Sequence, residues 1–552
     1  MFRYISFFLL LLVSLPSDAQ QLRSRQLDSL YYSVVRIKRP DLINNVNLPF
    51  VITAKHLKSV TGLFNAVRIN LSAFNKKQQI ILQGILDRPV TDTSIVSPNG
   101  FFRIHFNTSG TDTPTYNIHL FADALDSVYN FEVNSFGYTP PPSDNGLGGD
   151  DKYDIYIENT GGYTYGYTVP ETEIGSSGRF TAYTVINSDF SGFFTEGINA
   201  ARVTVAHEFT HAIHIGNYVN RISNDEFFYE LSATAMEHFI FSSIKDYLQY
   251  LPTYFYNTQN SIAVNGTIEE FALGIWNIYQ KDRFGSGIII KEWELMDQMR
   301  AMDAINNAIK QYGSSFGAEL NNFGIWMYFT NYRTIPGQYF EDASYYPLVK
   351  SIARVNYQPG SNIQLETGPS SNSFVTITNN SINDTLVTII TNSDIQNTIN
   401  NTNSFYPFSF ILYNEPVSGA EKINDNYYIE FSTGNRFNWT ISEILNNSVI
   451  LPGESLAGEI SYPFPSPFSY TKDAYLYIPV SAGSASNIQF NVYTIAMNLV
   501  YSSNQVLSYF NGQRIIKWNG RNANYDKLAT GVYIYSIKSG NSKVIGKIAI
   551  IN

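Results

Sequence analysis

ARVTVAHEFTHAIHI, residues 201–215, combines an almost unbroken apolar run with histidines and a glutamate. On a helix, residues four apart share one face, so His207 and His211 stand side by side with Glu208 beside them. This H-E-x-x-H spacing suits two imidazoles to one zinc ion. It also sets a carboxylate where it can act on a water at the metal. Val203, Val205, Ala206, Phe209, Ala212 and Ile213 fill the other faces, and a helix apolar nearly all round is a buried one. Buried imidazoles and a buried carboxylate are costly unless they are paired or hold a metal. Two plainer readings compete: solvated histidines on a surface helix, or core histidines bonded to backbone. Against them, four of the seven histidines (His207, His211, His214 and His238) fall within residues 207–238.

A catalytic zinc takes three protein ligands and keeps one position open. Residues 216–224 read as a turn, with Asn224 or Asp225 capping a second helix from about Glu226 to Ile244. Glu230 lies in its first turns, with eighteen residues between it and His211. The order resembles that of gluzincins, in which a glutamate on the next helix completes the metal site. The small residues of Glu230-Leu231-Ser232-Ala233 suit a close approach of the two helices. Glu226 and Glu237 are rival ligands, and Glu237 also reads as a carboxylate that orients a ligand histidine. Metzincins need glycine and histidine where His214 and Asn217 stand, so His214 reads as a packing residue or a support for a ligand. The upstream Gly-x-Met-Glu-Asn motif of zinc aminopeptidases is absent. The expected chemistry is peptide hydrolysis, with Glu208 as general base passing its proton to the leaving amine. His238, Tyr218 and Tyr229 are candidates for the donor to the oxyanion.

A chain of 552 residues is long enough for two to four domains. Its net charge of −10, with no basic patch, gives no sign of a nucleic-acid partner. It has no cysteine, which excludes disulfides, thiol catalysis and cysteine-based latency. Residues 1–19 read as a signal peptide: Arg3, an apolar run from Ile5 to Leu15, and Ser17-Asp18-Ala19 before the cut. That run is too short to span a bilayer, so the mature chain is expected to be exported without a transmembrane anchor.

Residues 20–95 have helical periodicity and read either as a prosegment over the cleft or as an N-terminal subdomain. Residues 96–347 carry the expected metalloprotease domain. Within it, Phe101 to Phe106 alternates as a strand, and Thr115 to Phe136 reads as a strand running into a helix. Asp144 to Asp151 is an acidic, glycine-rich loop. It reads first as a solvated turn and second as a calcium site, because it lacks EF-hand spacing. Tyr153 to Glu158 is a strand. Ala182 to Asn187 reads as a strand, either the edge strand that in zincins pairs with extended substrate or an ordinary strand of a sheet. Helices are expected at Phe227–Ile244, Glu269–Arg283, Ile288–Met302, Ala304–Tyr312 and Phe316–Thr330, with Trp276, Trp293 and Trp326 in the core. Residues 348–458 alternate and are rich in Asn, Ser and Thr, as in a β-sandwich. Residues 459–552 form a further β-rich unit, with strands at Ala474–Ile478, Ile488–Thr494, Arg514–Trp518, Gly531–Ser536 and Val544–Ile551.

Two resemblances extend this reading. Phe102-Arg103-Ile104-His105-Phe106, Asp151-Lys152-Tyr153-Asp154-Ile155-Tyr156, Tyr165-Gly166-Tyr167-Thr168, the HEFTH helix and Trp326-Met327-Tyr328-Phe329-Thr330 resemble a family of secreted bacterial gluzincin-type metalloproteases. The segment that opens with Tyr462-Pro463-Phe464-Pro465 and includes Trp518-Asn519-Gly520-Arg521-Asn522 resembles the C-terminal sorting domain of type IX secretion cargo. The first implies an α+β, zincin-like domain with zinc on His207, His211 and Glu230. The second implies one or two immunoglobulin-like sandwich domains behind it, and the type IX machinery as a partner. The expected protein is a secreted or surface-attached zinc endopeptidase acting on proteins or peptides. The alternative is an adhesin or glycan-binding exoprotein on an inactive zincin scaffold.

Overall fold

The computed structural model describes residues 18–43, 56–356 and, with short interruptions, 358–445 and 463–551. The expected signal segment lies, but for its last two residues, outside the described residues, as does the expected boundary at 458–459. The chain divides into two compact units, Met1–Val449 and Ile450–Asn552.

The first unit is mixed helix and sheet. In chain order it opens with α1 (Asp18–Lys38), β1 (Leu57–Ser59), α2 (Thr61–Ile69), α3 (Lys76–Leu86), β2 (Thr93–Val96) and β3 (Phe102–Phe106). Next come α4 (Ile118–Tyr129), β4 (Tyr153–Glu158), β5 (Thr164–Glu173), β6 (Phe180–Asn187), α5 (Gly197–Asn217) and α6 (Ile222–Ile240). The strands make one six-stranded sheet in the order β1-β5-β6-β4-β3-β2. Successive side chains of a strand point to opposite faces. Ile155, Ile157 and Ile186 therefore join Leu125 of α4 and Val205 and Phe209 of α5. Tyr156, Tyr183 and Val185 join Val34 and Val35 of α1, Phe64 and Val67 of α2 and Leu82 of α3. With both faces covered, β6 is buried from Thr181 to Asn187 and β5 from Thr164 to Pro170.

Here the structure decides one open reading and corrects one expectation. The strand holding Ala182 to Asn187 is not at an edge: β6 pairs antiparallel with β5 on one side and parallel with β4 on the other. Both its hydrogen-bonding sides are taken, so no substrate strand can add to it. The outer side of β5 is in turn met by β1, from the N-terminal segment, which pairs in parallel at Leu57↔Thr164 and Ser59↔Gly166. No strand forms at residues 115–117, where Asn117 caps α4. Its side chain accepts from the backbone N–H groups of His119 and Leu120 and starts the helix at once.

After α6 come helices Glu269–Ala272, Gly274–Phe284, Gly287–Leu295, Ala301–Gln311 and Phe316–Tyr328. The expected Glu269–Arg283 helix is interrupted at Leu273. Beyond it, Gly274 lies so close to α6 that a Cβ would stand 3.0 Å from Thr234 Cβ. Trp276 and Trp293 are fully buried. Residues 353–445 form two four-stranded sheets among the described residues. Val375, Ile377, Leu386 and Ile390 of one share a core with Phe408, Phe410 and Leu412 of the other. Buried amides fasten them to helix Phe316–Tyr328: Asn372 Nδ2 donates to Leu320 O at 2.8 Å, and Asn321 Nδ2 to Thr391 Oγ1 at 2.9 Å.

The second unit has a five-stranded and a three-stranded sheet around Phe468, Phe490, Trp518, Tyr535 and Ile548. Leu499–Val506, too polar to stand out in the sequence, pairs with Asn487–Thr494. Among the described residues no helix is long and apolar enough to cross a membrane.

Gly166 sets the distance between β5 and α5. A Cβ there would stand 2.7 Å from Thr204 Cγ2, 2.8 Å from Val185 O and 3.3 Å from Glu208 Cγ. Gly166→Ala is expected to destabilise the first unit by about 1–3 kcal/mol through overpacking. A urea titration followed by tryptophan fluorescence measures this, and an unchanged midpoint contradicts the close packing.

Candidate metal centre

Every residue of α5 from Val203 to Gly216 is buried. Polar side chains in such a helix need partners, and Thr204 and Thr210 find theirs locally, donating to Ala200 O and Ala206 O at 2.7 Å each. One turn apart, His207 and His211 bring their Nε2 atoms to 3.1 Å. Helix α6 packs on α5, and its small residues Ser232, Ala233 and Ala235 are buried. It carries Glu230 Oε2 to 3.0 Å from His207 Nε2 and 3.4 Å from His211 Nε2.

Donors around a tetrahedral zinc ion, at bond lengths of about 2.0–2.1 Å, stand about 3.3 Å from one another. The three separations here, 3.0, 3.1 and 3.4 Å, fit such an ion. Two nitrogens and one carboxylate oxygen are also a donor set suited to zinc. Glu208 lies beside this group, and the ligand atoms of His207, Glu208 and His211 all fall within 4.8 Å of one another.

The two oxygens of Glu208 differ. Oε2 accepts from Thr61 Oγ1 at 2.8 Å and stands 3.1 Å from Thr168 Oγ1. Oε1 is buried and has no hydrogen-bond partner. One oxygen is anchored and the other is left to meet a water. The outer nitrogen of His207 is fixed as well: Nδ1 donates to Glu237 Oε1 at 2.8 Å, leaving Nε2 as the donor to a metal. Glu237 Oε2 stands 2.8 Å from Lys58 Nζ. His211 Nδ1 has no hydrogen-bond partner.

Burial opposes charge on His207, but the carboxylates of Glu230 and Glu237 outweigh it and raise the imidazole to about 9. Glu230, against its own burial, is held down to about 2 by His211 and His207. A proton and a metal ion therefore compete for His207 Nε2.

The structure separates the rival residues. Glu226 packs against Gly62, and burial together with the nearby Glu230 pushes its carboxyl up to about 8. Among the described residues no ion pair joins it to either imidazole. Glu237 meets the outer nitrogen of His207, which makes it the orienting carboxylate rather than a ligand. His214 stacks on Trp293 with ring centroids 3.5 Å apart, and burial lowers its pKa: it is a packing residue.

None of the three residues expected as oxyanion donors hydrogen-bonds or stacks with the central groups. His238 Nδ1 lies 3.5 Å from Asp342. Tyr229 OH is bonded to the backbone at Val219 and Arg221. Tyr218 packs on Trp293. Tyr250, like Tyr254, is buried with a hydroxyl that has no hydrogen-bond partner among the described residues. The Tyr250 ring is 5.2 Å from Phe271, which in turn lies 6.1 Å from the His207 ring. In the acidic loop weighed as a calcium site, protein cations already hold two carboxylates: Arg88 pairs with Asp144, and Arg103 and Lys152 with Asp150.

Sequence reasoning missed Lys58, Thr61, Thr168 and Tyr250. Thr61 lies 147 positions from Glu208, and nothing in the neighbouring sequence marks it.

No family model matches the chain, and no curated protein matches it. Among solved structures it is similar to PorZ, a surface component of the type IX secretion system of Porphyromonas gingivalis. The identity is 15% and the TM-score 0.14, over 33% of this chain and 23% of that one.

Because His207 carries a proton below about 9, zinc must displace it, and affinity should rise with pH until that proton is gone. Chelator competition between pH 6 and 8 should show zinc binding tighten about tenfold per pH unit. A flat profile contradicts the competition at His207.

Proposed function

We propose that the chain is a secreted zinc-dependent peptidase that cleaves peptide bonds within proteins. The observation that carries this reading is the convergence of His207, His211 and Glu230 at zinc-like separations, with the unpartnered Oε1 of Glu208 beside them. Zinc, when bound, supplies a Lewis acid that polarises a carbonyl and makes water a stronger nucleophile. The chain does the rest. Glu208 Oε1 takes a proton from the attacking water and returns it to the leaving amine. Thr61 and Thr168 hold Oε2, so the carboxylate does not turn as it picks up and gives up that proton. Glu237 keeps the Nδ1 proton of His207, so that Nε2 stays available. Tyr250 supplies the donor to the developing oxyanion.

The same reading takes the C-terminal unit as a secretion address. Its support is the resemblance of residues 459–552 to type IX sorting domains and the separate core of Ile450–Asn552. The complete set of ligands and base favours a working enzyme over an adhesin on a decayed scaffold.

Glu208→Gln is expected to lower casein hydrolysis about 10²–10⁴-fold while one zinc stays bound. Tyr250→Phe should lower kcat about 10²–10³-fold with little change in KM. Full activity in the first variant rejects Glu208 as the base, and full activity in the second rejects Tyr250 as the donor. Purified wild-type protein that neither carries nor responds to zinc rejects the peptidase reading.

A further inference from the structure

Lys58 sits in the middle of β1, and its side chain is 0% exposed. Lysine is almost never buried to that degree unless its charge is paired. Here Nζ donates to Asp246 Oδ2 at 2.8 Å and forms an ion pair with Glu237 Oε2, also at 2.8 Å. It lies 4.7 Å from the centre of the Tyr165 ring. Asp246 is itself fixed, because its Oδ1 accepts from Tyr165 OH at 3.2 Å and from Gln249 Nε2 at 3.1 Å. The ammonium is therefore anchored on one side, and Glu237 is held on the other.

Glu237 uses its two oxygens in opposite directions. Oε2 faces Lys58, and Oε1 accepts from His207 Nδ1. Oε2 makes no hydrogen bond among the described residues and is held by the charge of Lys58 alone, so the ion pair at one oxygen and the hydrogen bond at the other together set the plane of the imidazole. That plane decides whether Nε2 points at the spot shared with His211 and Glu230. The sheet fixes the start of the chain of contacts, since the residues on either side of Lys58 are in register with β5 at Thr164 and Gly166.

We propose that Lys58 is a positioning residue of the metal centre, acting through Glu237 on His207. It touches no reacting atom; it holds the carboxylate that holds the ligand. The assignment rests on the zinc ligands of the peptidase reading. It also makes the strand at residues 57–59 a working part of the site, so that excision of the N-terminal segment removes a support rather than uncovering a finished centre.

The test is a double-mutant cycle on zinc affinity in the full-length chain, with Zn²⁺ as the probe and chelator competition as the readout. Lys58→Met and Glu237→Gln should each weaken zinc binding about 10–100-fold. The double variant should bind within about threefold of Glu237→Gln alone, because both changes break the same path. The visible bands of bound Co²⁺ should shift in Lys58→Met, as expected of a re-aimed imidazole. A purely structural lysine would lower the unfolding midpoint and leave zinc affinity and the cobalt bands alone; that result overturns the proposal, as do losses that multiply in the double variant. Should Lys58→Met fail to accumulate folded, Asp246→Asn loosens the same ammonium from its other side. It is expected to weaken zinc binding several-fold in wild type and not in Glu237→Gln, and unchanged affinity in both overturns the proposal. Wild-type protein without zinc overturns the peptidase reading and this assignment together, whereas zinc bound equally well by wild type and Lys58→Met overturns this assignment alone.

Discussion

Four buried carboxylates (Glu208, Glu230, Glu237 and Asp246) share the centre with His207, His211 and Lys58, while burial pushes the neighbouring carboxyls of Glu132, Glu226 and Glu270 up toward their neutral forms. Taking an ion out of water costs several kcal/mol unless good partners replace the solvent. Counted formally, Lys58 answers only one of the four negative charges. A proton on His207 answers a second, and a divalent cation in its place answers two. Much of the local architecture follows from this shortage of positive charge. It explains why Glu230 draws so close to the imidazoles and why His207 holds a proton tightly. It also explains why β1 delivers a lysine to the interior and why two threonine hydroxyls gather at Glu208.

The close approach of helices and sheet serves the same end. Glycine at position 166 lets α5 lie against β5, and that contact carries Glu208 to Thr168. The packing of α6 on α5 carries Glu230 to His207 and His211. The N-terminal segment serves both the sheet and the site: α1, α2 and α3 cover the face opposite α5, β1 meets β5 and carries Lys58, and Thr61 at the start of α2 reaches Glu208.

How much of this was legible in the sequence depends on distance along the chain. His207, Glu208 and His211 were readable because one helical turn is a local rule. Glu230 was readable as a candidate from its spacing to His211, whereas Glu237, two turns further along the same helix, read equally as a rival ligand, an orienting carboxylate or a solvated charge. The roles of Lys58 and Thr61 were not readable, because strand pairing brings them in from far upstream and a lone lysine in a three-residue strand carries no periodic signal. The position of β6 was not readable for a related reason. Apolar alternation marks a strand but not its neighbours, and only the return of β5 alongside it shows that both its sides are paired. The oxyanion candidates make their contacts elsewhere, His238 at Asp342 and Tyr218 on Trp293. Tyr229 is bonded to backbone, whereas Tyr250, beyond the end of α6, has a buried hydroxyl with no hydrogen-bond partner among the described residues.

The central claim is that these side chains form one zinc centre built from two imidazoles and a carboxylate. X-ray absorption at the zinc edge of the purified full-length chain tests it most directly. The expected first shell holds two imidazole nitrogens and one or two oxygens at about 2.0–2.2 Å. Replacing His211 with alanine should remove one imidazole or the zinc itself. A shell of oxygen alone, or one unchanged in the His211→Ala protein, would contradict the claim.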